Sequence, residues 1–312
     1  MRILVTDGMD KTAMAQLREM GHEVVEQFYE PDQLGKALRD FDVVVVRSKT
    51  KVRANHIDEA KTGKLKLIIR GGVGVDNIDL DAAKRHGIQV VNARGMNANA
   101  VAEMAMAMIL NCLRNVPMLA GKLEQGEWCR AVGHELSGRT VGLLGFGDIG
   151  SRVAKMLSGF NVRLLAYDPY PNREKAAALH VTLSDMDTVI AQSDILSIHM
   201  PSIPATRHTM NRETFRKMKQ GAYFINTARG ALVDTQALVE AVSSGHLAGA
   251  ALDVYEQEPL SPDAPVLHTP GIQCTPHTGA ETAETYSNIS MMAAQAVIDS
   301  LNGKEPQNWL NR

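Results

Sequence analysis

The sequence has few cysteines and almost no net charge. Only three cysteines (Cys112, Cys129 and Cys274) occur among the 312 residues, and their wide spacing suits neither a disulfide framework nor a metal site. We therefore expect no bound metal and a compartment that keeps thiols reduced, the cytoplasm. A formal net charge of −2 argues against nucleic acid or an acidic membrane surface as the main partner.

The sequence also lacks a long hydrophobic run, a low-complexity segment and short repeats. Its most apolar segment, Ala98–Leu113, is too short to cross a bilayer and contains Glu103. The first residues, MRILVTDG, enter a strand at once, so we expect no signal or transit peptide. With 312 residues and 45% hydrophobic content, the chain is expected to form about two domains with sizeable cores.

The most informative stretch is Thr140–Asp168, which is typical of a strand, a glycine-rich turn, a helix and a second strand. Three glycines follow the first strand in the spacing G-x-G-x-x-G. Gly145 permits the tight turn, Gly147 lets a pyrophosphate approach the backbone, and Gly150 allows close packing of helix on sheet. The helix N-terminus would then attract the phosphates. The alternative is a tight turn that binds no ligand.

Asp168 ends the second strand of this pattern. Its carboxylate could accept hydrogen bonds from both hydroxyls of an adenosine ribose, and its charge would repel the 2′-phosphate of NADP. The pattern therefore predicts NAD as the cofactor. A ligand-free turn would explain the glycines but not this acid.

Short apolar strands alternate with helices from Arg2 to about residue 92 and again after Asp168. This order predicts an α/β fold of two doubly wound parallel-sheet domains, with a Rossmann dinucleotide-binding domain inserted into a flavodoxin-like substrate-binding domain. We expect the substrate-binding domain to span residues 1–94 and 283–312 and the NAD-binding domain to span 95–282, because the last helix, Glu281–Leu301, would return to the first unit. The apolar helix Asn97–Leu113 is expected to lie between domains or subunits, and Gly121–Ser137 to be polar and broken.

Ligands of open parallel sheets bind beyond the carboxyl ends of the strands. Arg229 follows one such strand and could hold a carboxylate with its two-pronged guanidinium. His277 follows another and could exchange a proton with a hydroxyl or ketone oxygen, while Glu258 could hydrogen-bond the imidazolium. A nicotinamide would supply or accept the hydride. Each residue also has a structural alternative: a helix-flanking cation, a loop acid and a buried core histidine.

Several motifs carry a family resemblance: GFGDIG at Gly145–Gly150, NTARG at Asn226–Gly230, LDVYEQEP at Leu252–Pro259 and TPHTG at Thr275–Gly279, with RGGVGVDNID upstream. Together, and in this order, they resemble the D-isomer-specific 2-hydroxyacid dehydrogenase family over the whole chain. The resemblance implies that Arg229, Glu258 and His277 are catalytic. It also implies a set of NAD-binding residues: Gly145, Gly147, Asp148, Ile149, Gly150, Tyr167, Asp168, Pro169, His199, Met200, Pro201, Thr206, Thr227, Ala228, Arg229, Asp253, His277 and Gly279.

The expected substrate is a small 2-hydroxy or 2-keto acid, and a phosphorylated one is favoured. The resemblance places its carboxylate at the backbone of Val73–Gly74, and four basic residues within Arg47–Arg53 could neutralise a phosphate. The expected substrate-binding residues are Arg47, Ser48, Val73, Gly74, Arg229, His277 and Arg130. The resemblance implies that Arg130 is contributed across a homodimer. The run 47–53 could instead be a solvated loop.

Within this family, the resemblance of the segment Arg47–Lys51 favours oxidation of 3-phosphoglycerate to 3-phosphohydroxypyruvate, in serine biosynthesis. Because the chain stops at Arg312, we expect no serine feedback through an added C-terminal domain. The first alternative is a reductase for glyoxylate, hydroxypyruvate or another 2-keto acid. The second alternative is an NAD-responsive corepressor or scaffold, which would need an exposed apolar groove in the first domain.

Overall fold

The computed structural model describes all residues from Met1 to Arg312. The chain divides into two compact units. The first unit comprises Met1–Asn97 and Glu281–Arg312, and the second comprises Ala98–Ala280. The second unit is therefore inserted into the chain of the first.

The first unit is a five-stranded parallel sheet in the order β2-β1-β3-β4-β5. Strand β3 reads VVVV and is buried throughout, as a central parallel strand covered on both faces should be. The strand order is that of flavodoxin-like sheets. Its elements are β1 (Arg2–Val5), α1 (Lys11–Glu19), β2 (Glu23–Glu26), α2 (Pro31–Leu38), β3 (Val43–Val46), α3 (Ala54–Ala60), β4 (Leu67–Arg70), α4 (Leu80–Arg85), β5 (Gln89–Asn92) and, from the C-terminal part of the chain, α12 (Ala283–Leu301).

Helix α12 belongs to the core of this first unit. Ala293 and Val297 of the helix join one hydrophobic cluster with Ile3 and Val5 of β1. Small residues on the helix face allow it to pack closely on the sheet. A second cluster covers the other face of the sheet, so both faces are buried.

The second unit is a seven-stranded parallel sheet in the order β12-β11-β10-β9-β6-β7-β8. The first strand of the unit, β6, lies between β7 and β9, so the order reverses at β6 as in Rossmann folds. Its elements are α5 (Ala98–Arg114), α6 (Val116–Glu124), β6 (Thr140–Leu144), α7 (Asp148–Leu157), β7 (Arg163–Tyr167), α8 (Arg173–Ala178), β8 (Val181–Leu183), α9 (Met186–Gln192), β9 (Ile195–Ile198), α10 (Arg212–Lys217), β10 (Ala222–Asn226), α11 (Thr235–Ser243), β11 (Leu247–Leu252) and β12 (Ile272–Cys274).

The apolar helix α5 packs within its own unit. Ala105 and Ile109 are fully buried in a cluster with Val141 and Leu143 of β6. The helix therefore needs no partner to cover this face. No single helix is long and apolar enough to span a membrane, although α5 and α6, bent by 66° at their junction, pass the length and composition test as a pair.

These two sheets confirm the predicted fold class. Two details differ from the expectations. The segment from Gly121 was expected to be broken, but residues up to Glu124 continue helix α6, which begins after Asn115 in the left-handed conformation (φ 55°). None of the residues of α6 is buried, so this helix contributes no side chain to the hydrophobic core. Helix α8 and strand β8 were not predicted, because both are short and only Ala176 and Val181 in them are buried.

Candidate active site

The glycine-rich turn between β6 and α7 is shaped by close backbone contacts. Gly145 has φ +101°, and a Cβ there would lie 2.7 Å from the carbonyl carbon and oxygen of His199. A Cβ on Gly150 would overlap the carbonyl oxygen of Gly145. A Cβ on Gly147, in contrast, would meet no atom within 4 Å. Two glycines are therefore required by the fold itself, and the third faces open space where a ligand could approach.

Helix α7 begins at this turn with no side-chain cap on its N-terminus. The first backbone N–H groups of a helix have no partner within the helix and carry a partial positive charge. Asp148 and Ile149 are the first two residues of α7. The turn thus offers backbone donors to an anion.

Asp168 lies next to this turn. Its Oδ2 accepts a hydrogen bond from the backbone N–H of Phe146, and its Oδ1 accepts one from Tyr170, each at 2.8 Å. Each carboxylate oxygen has two lone pairs, so acceptor capacity is left for ribose hydroxyls. Neighbouring Tyr167 and Pro169 flank the carboxylate in the chain.

In the second unit, two polar atoms near the strand ends are buried without a hydrogen-bond partner, Oγ1 of Thr227 and Nδ1 of His199. The other ring nitrogen of His199 lies 3.0 Å from Oγ of Ser197. Burial lowers the pKa of His199 to about 4, so this ring is neutral at pH 7. Orphaned buried polar atoms call for an explanation, and a bound polar ligand is one. With the open space at Gly147 and the uncapped helix, these atoms fit a dinucleotide.

Asp253, directly after β11, anchors the loop that carries His277 through hydrogen bonds. It is 1% exposed. Its Oδ1 accepts hydrogen bonds from Thr275 Oγ1 (2.6 Å) and from the backbone N–H of Thr278 (2.8 Å), and its Oδ2 accepts one from Gly279 (2.8 Å). The loop is therefore anchored by a buried carboxylate from the neighbouring strand.

His277 and Glu258 form a direct pair. Nδ1 of His277 lies 2.7 Å from Oε2 of Glu258, while Oε1 of Glu258 accepts the backbone N–H of Tyr255 at 3.1 Å. Partial burial acts to raise the pKa of Glu258, but the hydrogen bonds from His277 and Tyr255 outweigh it, so this pKa lies below its usual value. A charged Glu258 favours a proton on Nδ1. The second ring nitrogen, Nε2, is left to exchange a proton with substrate.

Arg229 follows β10 in the same unit. Asn226 braces its turn, because Nδ2 of Asn226 donates to the carbonyl of Arg229 (3.0 Å) and Oδ1 accepts from the backbone of Ala228 (3.0 Å). Nη1 of Arg229 donates to the carbonyl of Ala228 at 2.7 Å, and its charge lowers the pKa of Glu258. A Cβ on Gly230 would overlap the backbone of Tyr255. The loops that carry Arg229 and Glu258 therefore touch backbone to backbone.

The other residues expected to bind cofactor lie in the β9–α10 connection. Met200 is buried, and Thr206 closes the loop after it, because its Oγ1 donates to the carbonyl of Pro201 at 2.7 Å. The backbone N–H of Ile203 donates to the same oxygen of Thr206 at 2.9 Å. The loop is thus held by its own hydrogen bonds.

The expected substrate-binding residues Arg47, Ser48, Val73 and Gly74 belong to the first unit. The segment from Arg47 is not a freely solvated loop. Asp7 accepts the backbone N–H groups of Arg47 (2.7 Å) and Thr50 (3.0 Å), and Nδ2 of Asn77 donates to the carbonyls of both at 2.7 Å. The carbonyl of Val73 accepts a hydrogen bond from Asn92 at 2.6 Å.

Arg130 lies in the second unit, in an irregular exposed segment. Trp128, two residues before it, is 78% exposed. Arg130 is thus exposed in the single chain, and its expected role across a dimer stays a prediction.

Sequence reasoning missed several residues that shape these sites. Asn77, Ser197, Tyr255 and Glu281 were not singled out. The hydroxyl oxygen of Tyr255 lies 3.1 Å from the carbonyl oxygen of Leu252 and 2.8 Å from that of Thr275, so its single O–H, shared between them, links β11 to β12. Its place within the motif LDVYEQEP was the available signal. Glu281, by contrast, follows the TPHTG motif and had none.

The second unit combines an uncapped helix N-terminus at a Rossmann turn, an acid directly after β7 and an imidazole–carboxylate pair. These features suit the binding of a dinucleotide and proton transfer beside it. A model of the NAD-binding domain of D-isomer specific 2-hydroxyacid dehydrogenases matches residues 106–279. This chain belongs to the D-isomer specific 2-hydroxyacid dehydrogenase family, and its second unit is the NAD-binding domain of that family.

Individual relatives agree with this assignment. A D-3-phosphoglycerate dehydrogenase of Archaeoglobus fulgidus is 40% identical over 314 residues, which cover 100% of this chain and 59% of that protein. A hydroxypyruvate reductase of Thermotoga maritima is 40% identical over 305 residues, which cover 96% of this chain and 98% of that protein. The crystal structure of the TT0316 protein of Thermus thermophilus superposes with a TM-score of 0.91 at 36% identity, covering 99% of this chain and 100% of that one. The chain spans only 59% and 49% of the first two curated relatives.

Proposed function

We propose that this protein is an NAD-dependent oxidoreductase that acts on the CH–OH group of a 2-hydroxy acid. The observation that carries the proposal is the 2.7 Å pair of His277 and Glu258, with Arg229 close enough to affect the carboxylate electrostatically, in an NAD-binding domain. NAD, when bound, supplies a hydride acceptor for oxidation and NADH a hydride donor for reduction.

Each member of this trio has a distinct role in the proposal. Arg229 binds the substrate carboxylate through its fork of N–H donors and orients the adjacent carbinol carbon. Nε2 of His277 takes the hydroxyl proton during oxidation and returns a proton to the ketone oxygen during reduction. Glu258 holds the imidazole in one orientation through its hydrogen bond to Nδ1.

The substrate we favour is 3-phosphoglycerate, oxidised to 3-phosphohydroxypyruvate. The name of the A. fulgidus relative supports this choice, and so does the basic segment after β3. In this proposal Val73 and Gly74 hold the carboxylate through their backbone, and Arg47, Ser48 and Arg130 contribute to binding the phosphate.

Reduction of hydroxypyruvate or glyoxylate is the second candidate. It is favoured by the T. maritima relative, because that protein is matched over nearly its whole length. The two candidates use the same trio and differ only in the end of the substrate that lies away from the carboxylate.

Steady-state kinetics with NADH on 3-phosphohydroxypyruvate and on hydroxypyruvate distinguishes the two candidates. If the phosphorylated acid is the substrate, removal of the phosphate should reduce kcat/KM by about 10² or more, since charged hydrogen bonds to the phosphate are lost. A kcat/KM that is similar or higher for hydroxypyruvate rejects the first candidate in favour of the second. Absence of turnover with both acids and with glyoxylate rejects the oxidoreductase proposal.

We also propose a homodimer in a compartment that keeps thiols reduced, the cytoplasm. Support for the dimer comes from the exposed apolar side chains of Leu123, Trp128 and Val132, and support for the compartment from three free cysteines. Light scattering on the purified protein should give twice the chain mass. Trp128→Ser should shift that mass towards the monomer, and a monomeric wild type contradicts the proposal.

A further inference from the structure

The guanidinium of Arg47 already has an anionic partner within the first unit. Its Nη2 lies 2.6 Å from Oε1 of Glu281, just before α12, and its Cζ lies 5.2 Å from the ring centre of Tyr286. The stem of the side chain lies against Gly71, where an added Cβ would be 3.2 Å from Cγ of Arg47. The Arg47 side chain is 19% exposed and that of Glu281 is 49% exposed.

The backbone of Arg47 is fixed as well. Asp7 accepts its N–H and Asn77 donates to its carbonyl, both at 2.7 Å. Gly71, on which its stem lies, begins the turn that continues to Val73 and Gly74. Arg47 is therefore a positioned cation beside the turn proposed to hold the substrate carboxylate.

Two other cations of the basic segment have different partners. Nζ of Lys49 lies 4.0 Å from the centre of the Phe28 ring. Arg53 donates from Nη1 to the carbonyl of Asp76 at 2.8 Å. Neither contact involves a carboxylate. The charge of Arg47 is thus paired with an acid, whereas the contacts of Lys49 and Arg53 are made to an aromatic ring and to a carbonyl oxygen.

We propose that Glu281 is a specificity-determining residue, which neutralises Arg47 and so lowers the preference of the site for a phosphorylated substrate. The inference rests on the proposed function and concerns the end of the substrate away from the carboxylate. A phosphate dianion that approaches Arg47 must displace the Glu281 carboxylate or bind beside it against like-charge repulsion. An uncharged hydroxymethyl group meets neither obstacle.

Glu281→Gln tests the inference, because the amide keeps the size of the side chain and removes its charge. Glu284→Gln is the matched control: it removes one negative charge from an exposed position in the first turn of α12. kcat/KM is measured for 3-phosphohydroxypyruvate and for hydroxypyruvate with NADH, at low and at high salt. Binding of inorganic phosphate to all three proteins is followed in parallel by ³¹P NMR.

We expect Glu281→Gln to raise the ratio of phosphorylated to unphosphorylated kcat/KM by about fivefold to tenfold at low salt. The gain should shrink as salt screens the charges, and Glu284→Gln should leave the ratio unchanged. An unchanged ratio in Glu281→Gln, or an equal change for both substrates, overturns the inference while leaving the proposed function intact.

Turnover of neither acid by the wild type would instead reject the proposed function. The phosphate titration then decides the inference by itself. Tighter phosphate binding by Glu281→Gln than by wild type and Glu284→Gln supports it, and equal binding by all three proteins overturns it.

Discussion

The polar side chains at the strand ends are held in different ways in the two units. In the second unit, Asp253 is buried and accepts three short hydrogen bonds from the loop that carries His277. In the first unit, Arg47 is balanced by the half-exposed Glu281. Loss of a buried hydrogen-bond partner costs about 1–3 kcal/mol per group, whereas an exposed ion pair contributes at most about 1 kcal/mol. The proposed redox chemistry therefore lies on a stiff framework of buried hydrogen bonds, and the proposed choice of substrate depends on one ion pair whose acid is half-exposed.

The largest effect expected in the second unit is that of His277→Ala. The rate of substrate reduction should fall by about 10²–10⁴-fold, because a general acid–base group is lost. Binding of NADH, followed by its fluorescence, should stay nearly unchanged. His268→Ala is the control, since His268 is exposed and Nε2 of its ring hydrogen-bonds to the carbonyl of Pro262. Equal losses of rate and of NADH binding would show that His277 serves the cofactor and not the proton.

Gly145→Ala should strain the stiff framework directly. The new Cβ would meet the backbone of His199 at 2.7 Å, at φ +101°, so we expect a loss of about 2–3 kcal/mol in the free energy of unfolding. Gly147→Ala is the matched control, because its Cβ would occupy open space. That variant should keep the Tm and weaken NADH binding. Equal Tm values for both variants would contradict the role of the backbone contact.

Acid should destabilise the second unit through His199. Its pKa is about 4 in the folded protein against about 6.5 when unfolded, so the unfolded chain binds more protons between these values. This contribution is fully present above pH 6.5 and is lost as the pH falls towards 4. His199→Gln should reduce the decline in the free energy of unfolding over this range by about 1–2 kcal/mol, measured by urea denaturation. An equally steep decline in the variant would show that other groups cause it.

Asp168→Ser should relax the choice of cofactor. Without the negative charge, the ratio of kcat/KM for NADP to that for NAD should rise by about tenfold. Asp168→Asn separates charge from geometry, since the amide oxygen can still accept the N–H of Phe146. The two variants should shift the ratio in the same direction. If the preference for NAD is unchanged in both, Asp168 has no part in binding the ribose.

The smallest effect is expected at the glycine turn of the first unit. A Cβ on Gly72 would meet the guanidinium end of Arg70, which is flexible, and not a backbone atom. Gly72→Ala should therefore cost less than about 1 kcal/mol, measured by thermal unfolding beside Gly145→Ala. A loss in the free energy of unfolding as large as that of Gly145→Ala would contradict the proposed difference in stiffness between the two units.

Sequence patterns predicted those parts of the molecule whose signals are local. The expected alternation of short apolar strands with helices, from Arg2 to about residue 92 and again after Asp168, is present in the two parallel sheets. The glycine turn follows β6 directly, and Asp168 follows β7, because a short motif fixes both. Parallel strands also end at the same edge of a sheet, which makes residues after each strand natural candidates for a site.

The remaining features depend on partners far away in the chain. Arg47 and Glu281 are 234 residues apart, and no local pattern predicts that their side chains meet. Asn77 braces the segment after β3 from 27 and 30 residues away. The contacts of such residues follow from the fold as a whole, so they were found only when the three-dimensional structure was known.

The missing side chain of Gly230 has a mechanical consequence. Because the backbone of Gly230 lies directly on that of Tyr255, the loop that carries Arg229 and the loop that carries Glu258 have no room to slide past each other. Thermal fluctuations that tilt strands β10 and β11 should therefore move both loops together as one rigid unit. The spacing between Arg229, proposed to bind the substrate carboxylate, and Glu258, the hydrogen-bond partner of His277, would then stay constant while the surrounding protein moves.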